Sequence, residues 1–180
     1  MYHKCKRLRQ RDTGKTQITL IMKIPLTLLL ALTFLFWFSS FVYGDDLQEG
    51  WNAYKNNDYK KAYKLWLPLA EQGNVTAQYN LGHMYEKGKG VPQDYKEAVR
   101  LYRLSAEQGD VDAQLKLGVS YGMGRGVPKD YALAHMWWNL SGSNGNKEAA
   151  ENRDIVENKM SPSQLEKAQE MARNWKPTKK

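Results

Sequence analysis

Cysteine is all but missing from this chain. The only one, Cys5, lies in a leader that the sequence marks for removal, so the part that would fold carries no thiol. Disulfides, thiolate metal centres and a lipid carried on a cysteine at the cleavage site are excluded for it. Histidine is nearly as scarce: three in 180 residues, of which only His83 and His135 lie beyond the leader. Two histidines do not supply the three or four convergent ligands of a metal centre, so no metal and no cofactor is expected. They are read as two partly exposed helical histidines. Gly88-Lys89-Gly90 lacks the Gly-x4-Gly-Lys-Ser/Thr spacing that cradles phosphate, and Gly14-Lys15-Thr16 has no upstream glycine. No serine beyond the leader stands in a Ser-x2-Lys setting. With no nucleophile, base and metal constellation to point to, the chain is expected not to be an enzyme, and no catalytic residue is assigned.

The amino-terminal segment is of a different material. Lys4, Lys6, Arg7, Arg9, Arg11, Lys15 and Lys23 stand against Asp12 alone, and Ile24 to Tyr43 then runs for 20 residues without a charge. This pattern reads as a signal peptide over residues 1–44, with small residues Val42 and Gly44 at the −3 and −1 positions and Asp45 as the new amino terminus. Met22-Lys23 followed by the apolar run forms a complete signal by itself, so Met22 is an alternative start. An uncleaved anchor is the competing reading, since about 20 apolar residues span a bilayer. Either way the positive flank stays inside and the remainder is exported, to the periplasm or beyond.

Without the leader, Lys and Arg fall from 27 to 20 and Asp and Glu from 19 to 18, so the formal charge drops from +8 to +2. A nucleic-acid binder wants a clustered basic face, and no nucleic-acid partner is expected. The remaining cluster, Lys55, Lys60, Lys61 and Lys64, reads as a solvated helix face. The 136 residues that follow the leader suit one domain.

Those residues repeat. Tyr59, Tyr95 and Tyr131 are 36 apart, as are Ala62, Ala98 and Ala134, and Gly73, Gly109 and Gly145. Ala77-x3-Leu81-Gly82-x2-Tyr85-x2-Gly88-x-Gly90-Val91-x2-Asp94-Tyr95-x2-Ala98 recurs from Ala113 to Ala134. A period between 20 and 50 marks a stacked array. Apolar positions such as Ala77, Leu81, Met84 and Tyr85, then Ala98, Leu101, Tyr102 and Leu104, fall at helical spacing, so each repeat supplies two helices. Glycines end the first helix, proline resists its continuation, and Asp58, Asp94 and Asp130 cap the second. Gly73-Asn74, Gly109-Asp110 and Gly145-Asn146 serve the other turn. Gly82 and Gly118 lie inside a helix at about 1 kcal/mol each relative to alanine, and close approach of a facing helix is the expected return. Trp66, Tyr102 and Trp138 form a column expected to pack in the core.

The motif resembles that of the Sel-one-like repeat family, a 36-residue relative of the tetratricopeptide repeat. The resemblance spans two full units near 74–109 and 110–145, with partial units on both flanks over 45–160, and implies an all-α superhelix. Eight helices are predicted: 46–56, 58–71, 75–87, 94–107, 111–123, 130–141, 147–158 and 162–174. In the first unit the loop is shortened, and in the last Asp154 replaces the expected glycine, so residues 161–180 read as a capping helix and tail.

Tetratricopeptide-like stacking implies that the first helix of each pair lines a concave groove. The helix motif then points Tyr79, His83 and Lys87 inward, with Leu115, Val119 and Met123 one repeat on and Leu47, Trp51 and Lys55 from the shortened unit. Each triplet is spaced by four and forms one stripe. Leu115 and Val119 are equally well read as packing between repeats. The family resemblance implies a non-enzymatic adaptor of the bacterial envelope that binds a protein or peptide bearing apolar groups or carboxylates, with membrane contact only through the leader. Two alternatives stand: an enzyme or binder acting on a cell-wall-related small molecule, as in a cysteine-rich branch associated with β-lactams, and a structural subunit that associates with itself.

Overall fold

The computed structural model describes residues 45–178, and the expected signal peptide, its cleavage at Gly44 and the alternative start at Met22 lie outside the described residues. Asp45–Lys180 forms one compact unit. Among the described residues every regular element is a helix: α1 (45–55), α2 (Tyr59–Glu71), α3 (Val75–Lys87), α4 (Tyr95–Ala106), α5 (Val111–Met123), α6 (Tyr131–Ser143), α7 (Lys147–Glu157) and α8 (Pro162–Asn174). None of them is long and apolar enough to cross a membrane. The predicted helices agree with these within two residues at every end.

The punctuation works as local chemistry dictates. Asp94 accepts hydrogen bonds from the Lys96 and Glu97 amides, Asp130 from those of Ala132 and Leu133, and Asp58 from Lys61, which satisfies amides that a helix start leaves without partners. Asn74, Asp110 and Asn146 do the same at the alternate turns. Ser161 and Gln164 form a reciprocal capping box at α8.

Packing follows chain order, each helix from α2 to α7 lying against its neighbours, while α8 folds back onto α6. Within each repeat the two helices are held together by an aromatic side chain that seats on a glycine. Trp66, Tyr102 and Trp138 are buried, and each lies where a Cβ would otherwise be: Trp66 over Gly50, Tyr102 over Gly82, Trp138 over Gly118. A Cβ at Gly82 would stand 2.8 Å from Tyr102, and one at Gly118 2.6 Å from Trp138. The cost of a helical glycine is thus offset by a close-packed ring, as the column of spacings predicts.

Polar ties recur at the same interval. Gln78 donates to the Ala70 carbonyl (3.1 Å) and Gln114 to that of Ala106 (3.2 Å); Ser105 donates to Val75 (3.0 Å) and Ser141 to Val111 (2.7 Å). All four side chains are buried, and each donates to a backbone carbonyl near a helix end.

Candidate functional site

The shortened first unit brings α1, α2 and α3 around an aromatic cleft. Its cavity measures about 140 Å³ and is lined by Trp51, Tyr54, Trp66, Tyr79, Asn80 and His83. Trp51 stacks on Tyr54 with centroids 5.8 Å apart and planes within 1°. Helical spacing of three sets this pair on one face. Trp66 closes the floor, 5.8 Å from Tyr54, its indole N–H donating to the Leu47 carbonyl at 3.2 Å. Lys89, from the loop after α3, places its ammonium 4.9 Å from the Tyr54 centroid and 5.0 Å from that of Tyr59. Such contacts hold a cation against an aromatic face without neutralising it.

The groove residues expected from sequence divide into three groups. Trp51, Tyr79 and His83 come together in this cavity. Lys55, Lys87 and Met123 are exposed, Lys87 paired with Glu86 at 2.7 Å. Leu47 and Val119 are half-buried and pack on the hydrophobic clusters, and Leu115 is buried within one. Tyr54, Trp66 and Asn80 complete the cavity but were not expected there. Tyr54 stands three residues from Trp51 and Asn80 one from Tyr79, while Trp66 belongs to the column expected in the core.

Electrostatics at the cleft are cationic. Burial lowers the His83 pKa, and Lys116, Lys87 and Lys89 lower it further against the opposing pull of Glu86. Tyr54 and His83 share a hydrogen bond, oxygen to Nδ1, of 3.2 Å. Burial pushes Tyr79 up to about 12, so it is a neutral phenol at physiological pH. Burial alone would raise Glu86, but hydrogen bonds from Lys87 and from Tyr102 (2.7 Å), with the nearby lysines, hold its carboxyl below the usual value. His83 therefore takes a proton less readily folded than unfolded. Its contribution to stability is complete above the unfolded value of about 6.5 and is lost as pH falls from there through the lower folded value. Thermal melts at about pH 7.5 and about pH 5.5 are expected to differ less in His83→Gln than in the natural chain, because the linkage term is gone.

The second histidine departs from expectation. His135 is not partly exposed: it is 1% accessible on α6 and meets the Glu157 carboxylate of α7 at 2.7 Å. Its repeat equivalent is Val99, an apolar core position, and the histidine occupies the same inward face because the last turn of α7 offers a carboxylate there. The two histidines have separate partners and do not form one site.

The family profile of the Sel1 repeat matches residues 43–74, 75–110 and 111–146. The chain belongs to the Sel1 repeat family. Such repeats generally act as non-enzymatic scaffolds that contact other proteins. Among solved structures, the chain is similar to a protective antigen of uropathogenic Escherichia coli strains displaying an SLR fold, with 33% identity and a TM-score of 0.71 over 74% of this chain and 29% of that one. It is also similar to a Sel1 repeat protein from Oxalobacter formigenes, with 30% identity and a TM-score of 0.59 over 61% of this chain and 45% of that one. The Sel1 chain described here thus spans less than half the length of either. No curated protein sequence matches it.

Proposed function

We propose that this Sel1 repeat protein is an exported, non-enzymatic adaptor of the bacterial envelope whose aromatic cleft between α1 and α3 holds a segment of a partner protein. Residues 1–44 serve as the export signal, and the repeats act in the periplasm or beyond. The observation that carries the reading is Trp51: an indole 45% exposed, standing at the mouth of a cavity walled by Tyr54, Trp66, Tyr79 and His83. Exposed tryptophan beside a preformed pocket is a costly arrangement for a surface that contacts only water, and tryptophan is enriched where binding energy concentrates. The lysines near His83 favour a partner segment whose apolar anchor is flanked by carboxylates.

The test is in-cell crosslinking from the envelope fraction, comparing the natural chain with a Trp51→Ala, His83→Ala variant of unchanged helical circular dichroism. A specific protein captured by the first and lost by the second is expected. Truncating such an anchor removes about 2 kcal/mol or more, roughly thirtyfold in affinity. Equal capture by both chains rejects the cleft as the binding site.

A further inference from the structure

The repeat symmetry of the fold displays one surface twice, once covered and once bare. The covered copy lies on α4, α5 and α6. There α8 packs on α6, Trp175 meets Trp137 edge to face with centroids 6.3 Å apart, and Met171 joins the same hydrophobic cluster. The tail then crosses to the end of α4, where Thr178 donates its backbone amide (2.8 Å) and its hydroxyl (2.9 Å) to the Glu107 carbonyl.

Stepping back 36 residues gives the copy on α2, α3 and α4. It is a cleft of about 250 Å³, lined by Leu101 and Leu104 in place of Trp137 and Leu140, and by Glu71 in place of Glu107. Leu104 is 37% exposed here, whereas its counterpart Leu140 is packed against the cluster that α8 covers. The Glu71 carbonyl, the counterpart of the one that receives Thr178, accepts no hydrogen bond from the described residues. The rim differs: Leu67 stands where the covered copy has Arg103, and a second change is one of charge. Leu133 and Met136 of the covered copy are replaced by Glu97 and Arg100, which pair with each other through two hydrogen bonds of 2.8 and 2.6 Å. An apolar floor with a polar, water-compatible rim is how surfaces that open and close on partners are built.

We propose that the α2–α4 cleft is a second docking site, for an amphipathic helix of a partner protein with the pattern of the chain's own last helix: an apolar face, an aromatic anchor at its carboxyl end, and a following extended stretch that donates to the Glu71 carbonyl. The site shares only the α2 and α3 helices with the aromatic cleft and no cavity-lining residue, and it does not rest on the function proposed above.

The chain supplies its own probe. A fluorescein-labelled peptide with the sequence of residues 161–178 is titrated with the protein purified after export, and anisotropy is read. Since the covered copy already holds α8, the α2–α4 cleft is the surface left for the peptide. Saturable one-to-one binding is expected, weakened at least about tenfold by Leu104→Arg, which sets a charge on the floor, and by Trp175→Ala in the peptide. Arg100→Met, which gives the rim the residue of the covered copy, is expected to tighten binding about threefold or more. Trp51→Ala leaves it unchanged. Absence of saturable binding overturns the proposal. So does binding indifferent to Leu104→Arg in a folded variant or to Arg100→Met, since the peptide has then displaced α8 from α6.

Discussion

Trp138→Ala is expected to lose about 3–5 kcal/mol of stability in urea denaturation, the range for truncating a buried aromatic. The indole is 7% accessible and sits in a seat made by two glycines one turn apart on α5. A Cβ at Gly118 would stand 2.6 Å from the ring, and one at Gly122 2.8 Å from its far edge. Glycines have no side chain with which to fill the space the ring leaves. The indole nitrogen has no hydrogen-bond partner within the described residues, so the loss is one of packing alone. The seat itself provides the control. Gly118→Ala in the natural chain is expected to destabilise by about 1–3 kcal/mol through overpacking, although alanine is the better helix former by about 1 kcal/mol. In the Trp138→Ala background the sign reverses: the same change is expected to stabilise by up to about 1 kcal/mol. A double-mutant cycle that shows no such reversal rejects the idea that glycine is there to admit the ring.

Gly126→Ala is expected to destabilise by about 3 kcal/mol, and Gly124→Ala by only about 1–2 kcal/mol, although both glycines have left-handed backbone, at φ 73 and 70. The shared conformation sets the smaller cost. At Gly124 a Cβ would meet the Lys129 Cβ at 3.3 Å, a neighbour on a loop that can give. At Gly126 it would collide with the carbonyl of Tyr95, the first residue of α4, one repeat back, and neither backbone can move without parting the helices. Equal melting temperatures for the two variants reject the close approach as the reason for glycine at 126.

The helices and their ends were legible because each rests on chemistry within a few residues. A glycine with positive φ, an aspartate that accepts from amides two and three residues on, and apolar positions at a spacing of three or four all act before any distant contact forms. The period of 36 added one long-range statement, that Trp66, Tyr102 and Trp138 occupy the same place in successive units, and the structure buries all three. The candidate site was only partly legible. Spacing placed Tyr79 and His83 on one stripe and Trp51 on another, yet Tyr54, Trp66 and Asn80 share their cavity. Spacing along one helix does not report how near the next helix stands. Leu115 lies on the same stripe as Met123, but the first is buried and the second 60% exposed.

The sequence by itself determined the repeat, the helix pairs, their caps and the aromatic-on-glycine column, since each is a local or periodic property of the chain. Tertiary structure alone decided three things. It buried His135 against Glu157, because a residue at an apolar position was tolerable only where a carboxylate from α7 reached it. It opened the aromatic cleft at the first unit, where the regular repeat is broken. It folded α8 and its tail across α6 onto the end of α4, covering one copy of a surface and leaving its twin bare. Periodicity describes equivalent positions, whereas what covers each of them is settled by packing.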